Sequence, residues 1–199
     1  FNAGQRPFAY TPPSGFKALH TGNLPAPTLP KPALHFDVKL DTGANIKATA
    51  EAVFSAQFME WIKDRANVNN HQVIDSVRGT SAVLLPNGTD AETTYATPSG
   101  NSVAAVWRAG ASAASNTSGS ITSQVSVNQA AGFSIATYTG TGVNATVGHG
   151  LGVAPKMVIV KRRNGVLAWC VGHDKIDATV PWGYCLNLNS TASKVGGSS

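Results

Sequence analysis

The sequence is poor in charge. Asp, Glu, Lys and Arg make up only 13% of its 199 residues, about half the share usual in a soluble domain. Fifteen basic residues against ten acidic ones leave a net charge of +5, but the basic residues are scattered. Their densest run is Lys161-Arg162-Arg163, which is too short for the basic stripe with interleaved aromatics that nucleic-acid binding requires. No nucleic-acid partner is expected. A glycosidase needs two facing carboxylates, so a hydrolase would have to assemble its pair from sparse acids: Asp37, Asp41, Glu51, Asp64, Asp75, Asp90 and Glu92.

Cysteine is scarce too, with Cys170 and Cys185 alone. The histidines, His20, His35, His71, His149 and His173, show none of the close pairing, C-x2-C or H-x3-H, that zinc sites use. No metal and no cofactor is therefore expected. There is no G-x-S-x-G elbow, and His173-Asp174 has no nucleophile in a strained turn beside it. His149, between Gly148 and Gly150, reads as a turn residue. No catalytic residue is assigned, and the chain is not expected to be an enzyme. No apolar run reaches eighteen residues, so no membrane-inserted helix is expected. The chain has no initiator methionine and no leader pattern, opens on Phe1 in a strand-like pattern and ends in linker-like Lys194–Ser199. That is the expectation for a piece of a longer polypeptide.

What is abundant is Gly, Ser, Thr, Asn and Ala around short alternating apolar stretches. Phe133, Ile135 and Thr137 alternate with Ser134, Ala136 and Tyr138, the period of a half-buried strand. Thr139–Gly142 breaks that strand, and Met157–Val160 forms a short apolar one closed by Lys161–Arg163 and the turn Asn164-Gly165. Further strands are expected at His35–Leu40, His71–Val77, Ala82–Leu85, Val103–Arg108, Ile121–Val127 and around Trp182–Leu188. Ala91–Thr97 reads as a short helix or a loop. Phe54, Phe58, Trp61 and Ile62 also fit helical spacing, so Phe54–Arg65 is open between helix and strand on its own pattern.

An internal match decides it. With Phe36 laid on Phe133, Thr42-Gly43 falls on Thr139-Gly140 and Ala48-Thr49 on Ala145-Thr146. One extra residue then places Met59 on Met157, Lys63 on Lys161 and Arg65 on Arg163. Phe58–Ile62 is therefore expected to be a strand. Residues 36–75 and 133–173 should form two related β-units, with Phe36 and Phe133 buried at equivalent places.

The expected organisation is 1–33, strands plus a Pro-rich linker; 34–110, the first β-unit; 111–120, a flexible Ser/Gly/Ala-rich connection; and 121–199, the second β-unit and tail. The fold class is all-β: short antiparallel sheets, sandwich-like.

Phe1-Asn-Ala-Gly-Gln5, Phe8-Ala-Tyr10 and Gly15-Phe-Lys-Ala-Leu19 resemble the closing strands of a SPRY-type, concanavalin-like β-sandwich. Together with "WIKDRANVNNHQVIDSVRG", "NTSGSITSQVSVNQAAGFSIATYTGTG" and "ATVGHGLGVAPKMVIVKRRNG", the chain resembles marine bacteriophage tail and fibre proteins, where such a sandwich precedes an uncharacterised β-rich region. The resemblance implies a structural virion protein, a tail or tail-fibre component. It also implies homo-oligomeric assembly, a trimer by preference, with other virion proteins as neighbours and host surface glycan as a further partner. It supplies no site residues. A virion protein folds in a reducing cytoplasm, so Cys170 and Cys185 are expected as free thiols. Strands without charge, Ile121–Val127 and Phe133–Tyr138, are expected to be covered by neighbouring copies, since unguarded edges recruit other chains. The alternative is a carbohydrate-binding module. Its stacking residues would come from Trp61, Trp107, Trp169 and Trp182, the first three of which sit in patterns that look buried.

Overall fold

The computed structural model describes residues 14–15, 29–55 and 57–196. The SPRY-like strands expected within Phe1–Leu19 and the Pro-rich linker up to Thr28 rest on residues outside that set. A compact part begins at Ala33 and carries every strand named below.

The fold is all-β and sandwich-like, built of short antiparallel sheets. The first sheet has the order β1-β6-β2-β3, with β1 at Phe36–Asp41, β2 at Phe58–Asp64, β3 at Gln72–Asp75 and β6 at Ser102–Arg108. The hairpin β4 (Ala82–Val83) and β5 (Thr93–Thr94) joins β3 through a bridge between Val73 and Leu84. Phe58–Asp64 is thus a strand, as the internal match requires, and its burial alternates strictly with Phe58, Glu60, Ile62 and Asp64 inward.

One helix was not foreseen. α1, Ile46–Glu51, sets Ile46 and Ala50 into the core against β1, β2 and β6. Small inward residues on β6, Ser102 and Ala104, both fully buried, leave room for it. The core beneath α1 comprises Ile46, Ala50, Phe54, Phe58, Ile62, Ile74, Val83, Ala104 and Val106. Each large side chain of that set contributes about 1.5–3 kcal/mol by leaving water.

β1 reverses the expected facing. Asp37, Lys39 and Asp41 lie opposite the inward residues of β6, while Phe36, Val38 and Leu40 are 41%, 48% and 63% exposed. Phe36 is therefore not a core residue, and Phe133 is only half-buried. The reason lies in the chain's route. α1 follows β1 at once, and Asp41 accepts from the Thr42 amide and the Thr49 hydroxyl at the helix side. Charged residues turned inward on an edge strand also guard it against pairing.

β7 (Ala114–Asn116), β8 (Ser123–Asn128) and β9 (Phe133–Tyr138) form a second sheet in that order. Part of the 111–120 stretch expected to be flexible is therefore an edge strand. It is pinned where Ser126 donates to the Ala111 carbonyl. Gly110 crosses β8 so closely that a Cβ would lie 1.6 Å from the Val127 carbonyl oxygen. β8 is interior, covered on both sides within the chain. Of the two charge-free strands expected to need a neighbour, only β9 keeps an open edge.

The last sheet runs β10 (Met157–Val160), β11 (Cys170–His173), β12 (Tyr184–Asn187), β13 (Val195–Gly196). It repeats the pairings of β2, β3, β4 and β5 in the first unit. Met59 faces Asp75 as Met157 faces His173, and Ile62 faces Gln72 as Val160 faces Cys170. Val73 meets Leu84 as Val171 meets Leu186. Val83 faces Thr93 as Cys185 faces Val195. β9 spans the six positions that the sequence match assigns to β1. The pairings correspond from β2 to β5 and from β10 to β13, but β9 lies in a different sheet from β10 and the stretch equivalent to α1 is not helical. Ile121 and Val147 instead form a parallel bridge there, and the Ile121 amide donates to the Thr146 carbonyl.

Candidate interaction surfaces

The outer face of the first sheet is apolar row by row. Phe36, Trp107 and Met59 lie side by side across three strands, then Val38, Ala105 and Trp61, then Leu40 and Val103 beside Lys63. Phe36 and Trp107 pack with ring centroids 5.1 Å apart. Trp61 and Trp107 are half-buried, not enclosed as their strand pattern implied. Trp61 donates its indole N–H to His71 Nδ1 at 2.9 Å. One end of this face is covered. Trp169, 6% exposed, clusters with Val73 and Leu84 against Met59 and Trp61, and its indole N–H donates to the Leu85 carbonyl at 2.9 Å. The β1 end is open to solvent.

The second unit carries the matching face uncovered. Met157, Val171 and Leu186 line a groove with Ile176, His173 and Lys194 at its rim. All four side chains of β10 are exposed, from 38% to 55%. Trp182 is 51% exposed and packs over Gly172.

A charged knot joins the units. Glu92 receives two hydrogen bonds from Arg163, at 2.9 and 2.7 Å, and one from Arg78 at 2.8 Å. Burial works against its carboxylate, but the hydrogen bonds of the two guanidinium groups outweigh it and hold its pKa below the usual value. Arg78 is almost wholly buried and also pairs with Asp75. These two arginines are hence structural, tying the end of β10 to the loop that carries Glu92. Lys161 likewise reaches the carbonyls of Thr89 and Gly165. A second polar centre is Asp64, which accepts from the amides of Ala66, Asn67 and Gly100 and from the side chains of Asn67 and Asn69. Burial opposes its charge. Those bonds win and hold its pKa far below the ordinary range.

The residues weighed for catalysis do not converge. His35 meets Asn128. His149 accepts from the Leu151 amide within its turn. His173 Nδ1 lies 3.3 Å from Asp174 and accepts from the Lys175 amide, and His20 lies outside the described residues. No group of three His, Cys, Asp or Glu among the described residues is placed to hold a metal ion.

Sequence reasoning missed Glu60. Its carboxylate is fully buried with neither oxygen partnered, and the Tyr95 hydroxyl near it is likewise buried without a partner. Burial first, then the charge of Glu51, pushes the Glu60 pKa up to about 8, with Lys47 pulling the other way. Burial, then Glu60 and Glu51, raises Tyr95 to about 12. The signal was present: Glu60 shares the inward parity of Phe58 and Ile62.

Cys170 and Cys185 are free, half-buried and on neighbouring strands. Burial first, then Cys185, pushes the Cys170 thiol up to about 12. Unfolded, unreduced protein is expected to titrate two thiols per chain, and the folded protein to alkylate slowly at pH 8, where Cys170 is a thiol. Finding no titratable thiol would overturn this.

A family described as "Domain of unknown function (DUF7483)" matches residues 31–99 and 96–199. No curated protein and no solved structure matches the chain.

Proposed function

We propose that this chain, which belongs to the DUF7483 family of domains of unknown function, is a structural module of a bacteriophage virion, a tail or tail-fibre component that assembles with copies of itself. The observation that carries the reading is the open apolar face of the first sheet. Phe36, Val38 and Leu40 stand in one row on β1, each more than 40% exposed, with Trp107 and Val103 continuing it. Contiguous apolar patches of this kind mark association surfaces. Low charge on the rest of the chain adds support, because little repels a second copy. Symmetric closure is the common solution for like chains, and the sequence resemblance favours a trimer on the extracellular particle, with host-surface glycan as an outer partner.

The test is the mass of the purified protein by sedimentation. A trimer is expected, and Val38→Asp with Leu40→Asp is expected to give monomers that keep the parent's strand content. A parent that stays monomeric at about 100 µM, a concentration at which weak self-association shows, would remove the support. Trp182, standing half out of the surface over Gly172, favours the carbohydrate-binding alternative, since sugars stack on exposed aromatics. Binding on a glycan array that Trp182→Ala abolishes would support that reading over self-assembly alone.

A further inference from the structure

The first unit shows what covers an outer face of this kind. Trp169 sits on Met59, Val73 and Leu84, and beneath it Val73 and Leu84 are only 6% and 5% exposed. Its loop is fixed beside the turn between β4 and β5. The indole N–H donates to the Leu85 carbonyl, the Leu167 amide to that of Thr89, and the Arg163 guanidinium to Glu92. The second unit repeats the seat. Met157, Val171 and Leu186 correspond by their pairing to Met59, Val73 and Leu84. They line the open groove, with Leu186 42% exposed. The turn beside the seat is repeated as well. The Ser190 amide donates to the Asn187 carbonyl as the Gly88 amide does to that of Leu85, both at 3.1 Å. Asn189 holds the Trp169 amide as Asn87 holds that of His71. What changes is the sign of the rim. His173 and Lys194 stand where the first unit has Asp75 and Glu92, and exposed Lys175 lies beside them.

We propose that the groove of Met157, Val171 and Leu186 is a docking seat for the hairpin tip of a different protein, which sets an indole on these three residues and a carboxylate against Lys194. The first unit supplies both requirements. Its apolar trio is closed by a tryptophan, and its rim acid is answered by a basic residue earlier in the same docked loop, Arg163 ahead of Trp169. In each seat the rim charge is also held by a counterion of its own unit, Glu92 by Arg78 and Lys194 by Asp177. With the rim sign inverted, the docked charge inverts too, since opposite charges across an interface select the partner and like charges reject the wrong one. A second copy is rejected on that ground. Its own Trp169 hairpin is already seated on its first unit, and its other hairpin brings Arg65 to the place of Arg163 and His71 to that of Trp169. Arg65 would meet Lys194 as a like charge. The inference stands on the internal repeat and not on the virion reading.

The probe is a hairpin peptide copying Val158–Gly172, whose end residues face each other in the chain. It carries Cys170→Ser and is closed between those ends by an Asn-Gly turn. It is made in two forms, with Arg163 kept and with Arg163→Glu, and each is titrated by calorimetry into the full 199-residue chain. The first seat of that chain is filled by its own Trp169. The Arg163→Glu hairpin is expected to bind about tenfold more tightly than the Arg163 form, because the exchange replaces a repulsion at Lys194 by an attraction. In a chain carrying Lys194→Met, which removes the charge without setting a second carboxylate beside Asp177, the two hairpins should bind within about twofold of each other. Adding Trp169→Ala to the Arg163→Glu hairpin should abolish binding up to about 1 mM, as loss of a central aromatic anchor does. Equal binding of both hairpins to the parent chain would overturn the proposal, and so would a preference that survives Lys194→Met. Failure of either hairpin to bind at about 1 mM would overturn it as well, including where a second copy already fills the groove.

Discussion

Glu60→Gln is expected to make the protein more stable above pH 8 and to flatten its stability between pH 4.5 and 8. The parent carboxyl binds its proton more tightly folded than unfolded, with a folded pKa of about 8 against the ordinary 4.5. Over that interval the folded state holds more protons than the unfolded one. Stability therefore falls as pH rises and reaches its full loss above the folded pKa. A shift of this size corresponds to roughly 5 kcal/mol, a large fraction of a domain's total stability. The groups facing Glu60 act in both directions: Glu51 disfavours its ionisation and Lys47 favours it, and Tyr95 stays neutral over the whole range. Gln keeps the shape and removes the titration. Denaturant unfolding at intervals from pH 4 to 9 is the measurement. Parent and variant curves that run parallel would show that Glu60 does not titrate in its buried site.

The repeat sharpens the point. The position equivalent to Glu60 in the second unit is Val158, since each faces the residue before the one opposite its methionine. A valine at that place is what a strand's inward face ordinarily holds. Glu60 is the exception, placed beneath α1, an element the second unit lacks. Burying an unpaired carboxyl is costly enough that it is kept neutral instead.

These features were unequally legible in the sequence. Strands were visible wherever alternation met a turn signal, as at Phe133–Tyr138 and Val103–Arg108. The internal match resolved the one segment whose periodicity was ambiguous, because Met59 and Lys63 fixed its register against Met157 and Lys161. The facing of β1 was not legible. Period-2 alternation says that Phe36, Val38 and Leu40 share a face, but which face is inward depends on where α1 lies. α1 itself was missed because Ile46–Glu51 is too short to show a helical period. The Glu92 knot was hidden for a different reason. Arg78, Glu92 and Arg163 come from loops of both units, and only the tertiary fold brings them together.

Trp169→Ala is expected to separate the stabilities of the two units. Trp169 belongs by sequence to the second unit, one residue before β11, yet its side chain is buried on the first, among Val73, Leu84, Met59 and Trp61. Its backbone is fixed on the other side, where its amide donates to Asn189 and its carbonyl accepts from Leu188. Removing so large a buried ring costs on the order of 3–5 kcal/mol. It also leaves the Leu85 carbonyl without the indole N–H. What still ties β10–β13 to the first unit includes the Arg163–Glu92 pair, the bond from Lys161 to the Thr89 carbonyl, and the backbone bonds from Glu92 to Arg163 and from Leu167 to Thr89. Partly exposed bonds of this kind are weak compared with the ring. The first sheet keeps its own core under α1, whereas β10 to β13 contribute no residue to that core. The variant should therefore lose protection in β10–β13 first, at lower denaturant, while β1, β2 and β6 unfold near the parent midpoint. Trp169→Phe, which keeps most of the packing, should fall between parent and Ala variant. Hydrogen exchange across a denaturant series reads both transitions. A single transition at the parent midpoint would mean that the units are held together elsewhere, and that the buried indole is not what joins them.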